Sequence, residues 1–111
     1  MTDIIQLTTT VDSKAQAIKI AQTIVTERLA ACAQIQGPVE SIYWWQGKLD
    51  NATEWYCHFK TTKLLVEQLR TRVVKLHPYD IPEVIVVPVA DGHPPYENWV
   101  ASETRDPTSG S

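Results

Sequence analysis

The sequence predicts an α+β domain in which helices cover one face of an antiparallel sheet. Two stretches repeat apolar residues with the helical period, and several others are β-branched or alternate apolar with polar residues, as strands do. The chain has 111 residues, of which 43% are hydrophobic and 21% charged, and this composition is typical of one globular domain. We therefore expect a single domain over residues 1–105, followed by a polar, flexible tail over 106–111.

The first strand and the first helix are predicted by the opening thirty residues. Residues 4–10 are rich in β-branched side chains and predict a strand. Ser13 and Gln16 then have the spacing of a capping box, which predicts the start of a helix. Apolar residues occupy one half of the helical wheel from Ala17 to Leu29, so this helix is expected to lie on the sheet.

A long hairpin follows. Residues 31–46 predict an outgoing strand that is interrupted at Gly37-Pro38, and Gly47-Lys48 predicts its tip. Residues 53–61 predict the return strand, in which Trp55, Cys57 and Phe59 alternate with polar residues and so form a core face.

The outgoing strand of this hairpin has apolar residues on both of its faces. Val39, Tyr43 and Trp45 fall on one face, whereas Ile42 and Trp44 fall on the other. A domain of this size has helices for only one face. The pattern therefore predicts that the hairpin is covered by another subunit of an oligomer.

The second half of the chain repeats the strand–helix–strand order of the first. A helix is predicted from about Thr61-Thr62 to the residue before Pro78, then a buried strand over 84–89, with Pro88 at its edge or its end. A closing helix is predicted over 96–104, with Trp99 and Val100 pointing inward. The resulting βαββαβ order is the ferredoxin-like arrangement, here with a long β2–β3 hairpin and an extra C-terminal helix.

The segment between the second helix and the last strand contains an unusual set of polar residues. Two prolines make this segment stiff, because Pro78 and Pro82 restrict their own backbone and that of the residues before them. It presents four polar side chains at one end of the sheet: His77, Tyr79, Asp80 and Glu83. The segment is therefore predicted to be either part of a binding site or a rigid turn with solvated side chains.

A second set of polar residues lies on the non-core face of the return strand, where Glu54 and Lys60 share a face. If segment 76–83 of a neighbouring subunit approaches that face, Lys60 and His77 supply cationic groups there. The anionic groups come from Glu54, Asp80 and Glu83, with the Tyr79 ring beside them. Such a site suits a divalent cation on the carboxylates or a small anion on Lys60, and an interfacial ion-pair network would use the same residues.

Several classes of function are not expected. The net charge of −3 argues against nucleic acid, which needs a basic surface. No apolar run is long enough for a membrane span, and no signal peptide is apparent. The two cysteines, Cys32 and Cys57, are too few for a disulfide framework and fit a cytoplasmic protein. No GxSxG motif, phosphate-binding loop or set of nucleophile and base is apparent, so an enzyme that uses His77, Tyr79 or Glu83 as acid or base is the least expected function.

Metal ligands are present but do not have the spacing of a closed zinc site. There is no CxxC, HxH or HExxH motif, and Cys57 and His58 point to opposite faces of their strand. Cys57 is expected to be a buried thiol between Trp55 and Phe59. Cys32 is expected to pack where the first helix ends, with metal coordination as the alternative.

Motifs along nearly the whole chain resemble the CutA divalent-cation tolerance family. They are Ala31-Cys32, SIYWWQGK at 41–48, Lys60-Thr61, LHPYDIPE at 76–83 and PYENW at 95–99. The resemblance implies a ferredoxin-like subunit in a homotrimer similar to PII signalling proteins. It also implies binding of copper(II) or another divalent cation. An alternative is a PII-like module for a small anion or metabolite at the subunit interface.

The resemblance also implies which residues form the site. Cys32 and His77 are the implied metal ligands. A cleft near subunit contacts would be formed by Trp45, Glu54, Lys60, Tyr79 and Glu83. Asp80, which stands where the family usually has Glu, would be a shorter ligand in the same cleft.

Overall fold

In a computed structural model, residues 3–109 of the chain are described. The elements, in chain order, are β1 (Ile4–Val11), α1 (Lys14–Thr26), β2 (Cys32–Trp45), β3 (Lys48–Thr62), α2 (Val66–Leu76), β4 (Val84–Pro88) and α3 (Pro94–Glu103). Short 3-10 turns precede α2 at Lys63–Leu65 and follow α3 at Pro107–Ser109.

The four strands form one sheet in the order β2-β3-β1-β4, and every neighbouring pair is antiparallel. This is the ferredoxin-like topology that the element order predicted. Ser13 caps α1 as expected, because its side-chain oxygen accepts the Gln16 backbone N–H at 3.1 Å.

The hydrophobic core lies between the sheet and helices α1 and α2. Leu7 on β1 and Phe59 on β3 are directly opposite each other and are fully buried. From the helices, Ile24 and Leu69 are buried in the same cluster. Cys57 belongs to it as well, and burial raises the pKa of its thiol to about 11, so the prediction of a buried thiol is confirmed.

The hairpin is longer than the sequence predicted, because β3 begins at Lys48 rather than near residue 53. Its tip is a two-residue loop in which Gln46 and Gly47 have φ values of 50° and 79°, as type I′ turns require. A bulge interrupts the pairing between Gln36 and Val39. There Gly37 lies so close to the Trp55 ring that an added Cβ would be 2.5 Å from its Cδ1, which excludes a larger residue.

The distal part of the hairpin extends beyond the helices. Trp44 and Ile42, on the face that carries α1 and α2 elsewhere, are 74% and 72% exposed. Tyr43 and Trp45, on the opposite face, are also exposed. In the described subunit the hairpin therefore presents apolar surface on both faces, as its sequence pattern predicted.

Three sequence predictions are corrected by the structure. Helix α2 starts at Val66, not near residues 61–62, because β3 continues through Thr62. Strand β4 is not buried within the subunit, since it is an edge strand and its residues Ile85 and Val87 face the side without α1 and α2. Trp99 is 43% exposed, whereas its neighbour Val100 is the fully buried residue of α3.

Two arginines hold the C-terminal end of α1 and the segment after α3. The Arg72 guanidinium on α2 donates two hydrogen bonds, of 2.9 and 2.7 Å, to the Glu27 carboxylate, and this contact lowers the pKa of Glu27. The Arg105 guanidinium donates to the Glu27 carbonyl oxygen at 2.9 and 3.1 Å. In the segment expected to be a tail, Pro107 accepts a hydrogen bond from Gln68, whereas residues 110 and 111 lie outside the described part.

The link between α2 and β4, residues 77–83, is held in place by the His77 ring. Its Nε2–H donates to the Thr10 carbonyl oxygen at 2.8 Å, and its Nδ1 accepts the Tyr79 backbone N–H at 3.1 Å. The ring also packs against the Tyr79 ring, with 4.7 Å between the centroids. This arrangement requires the neutral imidazole with its proton on Nε2. Burial lowers the pKa of His77, although the Thr10 carbonyl and two nearby carboxylates act in the opposite direction.

Replacing Thr9 by Val should stabilise the fold. Thr9 is fully buried on the core face of β1, and its hydroxyl makes no hydrogen bond within residues 3–109. Val has nearly the same shape without the polar group, so Thr9→Val should raise the free energy of unfolding by about 1 kcal/mol. Thr8→Val is the control, because the Thr8 hydroxyl lies 3.0 Å from His58 Nδ1 and its loss should destabilise. Urea unfolding measures the free energy of unfolding of the parent and both variants. A Thr9→Val protein that is less stable than the parent would show that the Thr9 hydroxyl does have a favourable partner.

The stability of the fold should fall as the pH drops below about 6.5, the ordinary pKa of an unfolded His. Burial lowers the pKa values of His77 and His58 in the folded state, so the unfolded chain takes up protons first. The contribution of each neutral ring is complete above pH 6.5 and is lost as the pH falls through its folded pKa. His77→Gln should make this decline shallower. Urea unfolding at one protein concentration and a series of pH values measures this dependence. If the free energy of unfolding falls equally steeply with pH in the parent and in His77→Gln, His77 does not contribute to the decline.

Candidate functional site

A cavity of about 800 Å³ opens between the distal half of the hairpin and the link 77–83. Its walls are formed by residues of β2 between Val39 and Trp45 and by residues of β3 between Asp50 and Tyr56. Thr10 near the end of β1 and the link residues from Tyr79 to Glu83 complete them. The pairing of Tyr43 with Asp50 and of Val39 with Glu54 places these four side chains on the face of the sheet opposite α1 and α2. The cavity therefore belongs to the face that α1 and α2 leave uncovered; we call it the helix-free face, although α3 lies at its far end beside Cys32.

The contact between Glu54 and Tyr79 joins the two sides of the cavity. The Tyr79 hydroxyl donates to Glu54 Oε2 at 2.8 Å. Glu54 is only 8% exposed although it is a carboxylate. Burial raises the pKa of Tyr79 well above its ordinary value, and the hydrogen bond to the Glu54 carboxylate raises it further. The phenol therefore remains a hydrogen-bond donor.

The structure brings together five of the eight residues that the sequence analysis selected. Trp45, Glu54, Tyr79, Asp80 and Glu83 all line the cavity. The association of segment 76–83 with the strand face of Glu54 was expected from a neighbouring subunit, and here it occurs within one subunit.

The remaining three residues lie outside this cavity. The Lys60 ammonium donates to the Gln34 side-chain oxygen at 3.3 Å, and Lys60 lies four residues along β3 from Tyr56, a residue that lines the cavity. His77 lies behind the cavity wall, where both of its ring nitrogens bond the backbone. Cys32 is paired with Lys60 in the sheet, and its Sγ is 3.6 Å from the Tyr96 hydroxyl of α3.

Cys32 and His77 are thereby separated within the subunit. Through Lys60, Cys32 is aligned with Gln6 near the start of β1, whereas His77 contacts Thr10 near its end. Tyr96, the partner of Cys32, has a pKa raised to about 12 by burial and by the neighbouring thiol. In residues 3–109 no three His, Cys, Asp or Glu side chains are close enough together to hold a metal ion. The described helices include none long and apolar enough to cross a membrane.

Among the cavity residues that were not selected from the sequence, four carry titratable side chains: Glu40, Tyr43, Asp50 and Tyr56. The pairing of β2 with β3 predicts that Tyr43 and Asp50 belong to the cavity. Once the loop is placed at residues 46 and 47, counting back along both strands pairs these two residues on the face of Glu54. The sequence analysis placed the tip one residue later, at 47–48.

Comparison with protein families gives a match to the CutA1 divalent ion tolerance protein over residues 5–103. A relative named divalent-cation tolerance protein CutA, from Thermus thermophilus, is 41% identical over 86% of this chain and 92% of its own length. The rice protein named CutA 1, chloroplastic, is 38% identical over 87% of this chain. The chain spans about half the length of the rice and Arabidopsis relatives, 55% and 53%.

Solved structures agree with the family match. The crystal structure of CutA from Xylella fastidiosa superimposes with a TM-score of 0.91 at 36% identity, covering 94% of this chain and all of that one. The Thermus thermophilus protein gives a TM-score of 0.88 at 38% identity, covering 92% of this chain and 99% of that one. Fold, sequence and the extent of the match agree, and the chain belongs to the CutA1 divalent ion tolerance family.

Proposed function

We propose that this chain forms a homotrimer that binds divalent cations, with a preference for Cu²⁺, and that it acts in tolerance to such ions. The observation that carries the proposal is the similarity, at 41% identity, to a protein named for divalent-cation tolerance that has nearly the same length as the matched region. That name describes tolerance and no reaction, and we propose no catalytic activity.

The hairpin supports the assembly. Trp44, Ile42 and Leu49 expose large apolar side chains on one face of its distal part, while Tyr43 and Trp45 are exposed on the other. Contiguous apolar surface of this kind is typical of protein interfaces. The helix-free face of the sheet also includes the half-exposed Ile85 and Val87 of β4. We therefore propose that neighbouring copies cover the hairpin and this face.

Replacing Trp44 by Glu should disrupt the assembly. The parent is expected to sediment as a trimer at micromolar concentration, because burial of Trp44 and its neighbours favours association. Trp44→Ala should cost the assembled protein about 3–5 kcal/mol of stability, as for a packed Trp. Leu64→Glu is the matched control, since Leu64 is 75% exposed and follows the end of β3 that is opposite the hairpin tip. A folded parent that sediments at 12.5 kDa would refute the trimer.

For copper we propose Cys32 as the principal ligand. Its thiol is partly exposed beside Tyr96, whereas the Cys57 thiol is fully buried with a pKa raised to about 11. Soft thiolate and imidazole groups favour copper over Mg²⁺ or Ca²⁺. His77 becomes a ligand only if it releases one of its two backbone hydrogen bonds. Because Cys32 and His77 lie apart in one subunit, a site that uses both needs residues of two subunits.

Cys32→Ser should weaken Cu²⁺ binding at least tenfold, which corresponds to about 1.4 kcal/mol. Binding by the parent should also weaken as the pH falls, because a thiol binds metal only after it loses its proton. Titration calorimetry with Cu²⁺, Mg²⁺ and Ca²⁺ measures both effects. Cys57→Ala is the matched control and should bind Cu²⁺ as the parent does. Equal Cu²⁺ affinity of Cys32→Ser and the parent would place the ligands elsewhere.

A second candidate function is favoured by the cavity itself. Its volume of about 800 Å³ lies in the range of small-molecule sites, and both aromatic and polar side chains line it. We propose as this alternative that the chain is a binding module for a small molecule at the helix-free face, near the surface that neighbouring copies would cover.

A further inference from the structure

The cavity between the hairpin and the link 77–83 is lined by acidic side chains and by no basic ones. Of the described residues that form its walls, none is Lys, Arg or His, and four acidic residues contribute carboxyl groups: Asp50, Glu54, Asp80 and Glu83. Glu40 also belongs to the wall, but its carboxylate accepts the Thr53 hydroxyl at 2.8 Å on the opposite face of the hairpin. Lys60, the cation expected from the sequence, bonds Gln34 outside the cavity. The electrostatic environment therefore disfavours an anion.

Glu54 provides a second and independent observation. It is more than nine-tenths buried, yet it lines the cavity. One carboxylate oxygen, Oε2, accepts the Tyr79 hydroxyl, while Oε1 has no hydrogen-bond donor and no ion-pair partner within residues 3–109. Oε1 is not one of the fully buried unpaired oxygens of residues 3–109, so it remains accessible from the cavity. An occupant with an N–H donor and a positive charge can therefore reach it and form a charge-assisted hydrogen bond.

The aromatic walls select among cations. The rings of four residues border the same space: Tyr43, Trp45, Tyr56 and Tyr79. Aromatic faces attract ammonium groups through their quadrupole, and they also pack against an alkyl chain. A bare divalent metal instead needs several oxygen ligands at short range, and residues 3–109 contain no cluster of three such carboxylate, thiol or imidazole groups. The cavity is therefore better suited to an organic cation than to a metal ion.

We propose that this cavity binds an organic ammonium compound, whose N–H group donates to Glu54 Oε1 while its carbon chain packs against the aromatic rings. This inference rests on the second candidate function, a small-molecule module, and specifies the class of its ligand. The exposed carboxylates of Asp80 and Glu83 at the link favour a second ammonium group in the same ligand.

The test uses the full chain in its natural assembly and three probes. They are 1,4-diaminobutane, the neutral 1,4-butanediol with the same carbon skeleton, and inorganic phosphate. Calorimetry and tryptophan fluorescence, to which Trp45 contributes, measure binding. We expect the diamine to bind and the diol and phosphate to bind at least tenfold more weakly. If the diol or phosphate binds as well as the diamine, the small-molecule function stands but the ammonium assignment is overturned.

Glu54→Gln should weaken diamine binding at least tenfold, because it removes the charge that faces the ligand. Glu67→Gln, on the exposed side of α2, makes the same chemical change outside the cavity and should bind as the parent does. If Glu54→Gln fails to fold, the Asp80→Asn, Glu83→Gln double variant, which changes only exposed side chains, should show a weaker preference for the diamine over the diol. Equal affinity of parent and cavity variants would overturn the proposal.

A cationic side chain of a neighbouring copy is the competing occupant of the cavity. In that case the parent would not bind the diamine, and Glu54→Gln would change the sedimentation of the assembly, which together overturn the proposal. Copper titration of the same preparations separates this result from the first proposed function, because Cu²⁺ binding that depends on Cys32 is unaffected by either outcome.

Discussion

The site depends on one constraint, the fixed position of the link 77–83 against the end of β1. The His77 ring bonds the Thr10 carbonyl on one side and the Tyr79 backbone on the other, so a strand end and the link share one rigid connection. Pro78 and Pro82 restrict the backbone around it. Tyr79 is thereby held where its hydroxyl reaches the buried Glu54 carboxylate. Without this connection, Glu54 would lose the only hydrogen-bond donor that the described residues give its side chain.

The same arrangement explains why the helix-free face is suited to association and binding. The core-facing side of β1 and β3 is covered by α1 and α2, which bury residues such as Leu7 and Phe59. The other side has α3 at one end, where Tyr96 contacts Cys32, and the link at the opposite end. Between and beyond these covers the sheet remains accessible, and the hairpin extends past the helices altogether. The apolar residues that the sequence pattern placed on both faces of the hairpin, such as Ile42 and Tyr43, are exposed on these surfaces.

Much of the fold could be predicted from local patterns, because periodicity and capping depend on neighbouring residues. The Ser13 cap, the buried Cys57 and the ferredoxin-like order are examples. The errors concern properties that depend on distant partners. Strand β4 is wholly apolar in sequence, but it lies at the edge of the sheet, so Val87 is exposed in the subunit. The start of α2 depends on how far β3 pairs with β1, and that pairing continues to Thr62.

The candidate site shows the same division between local and distant information. Tyr79, Asp80 and Glu83 are consecutive or nearly so, and their common location follows from a stiff segment. The position of Lys60 relative to Glu54 was also known, since both share a strand face, but six residues of an extended strand span roughly 20 Å. That distance exceeds the reach of a Lys side chain and explains why the ammonium group bonds Gln34 rather than the cavity carboxylates. The separation keeps the Lys60 ammonium away from the cavity. Lys48 pairs with Trp45 at the hairpin tip but is not one of the described residues that line the cavity, so a ligand or a neighbouring copy can balance the charge of the carboxylates there.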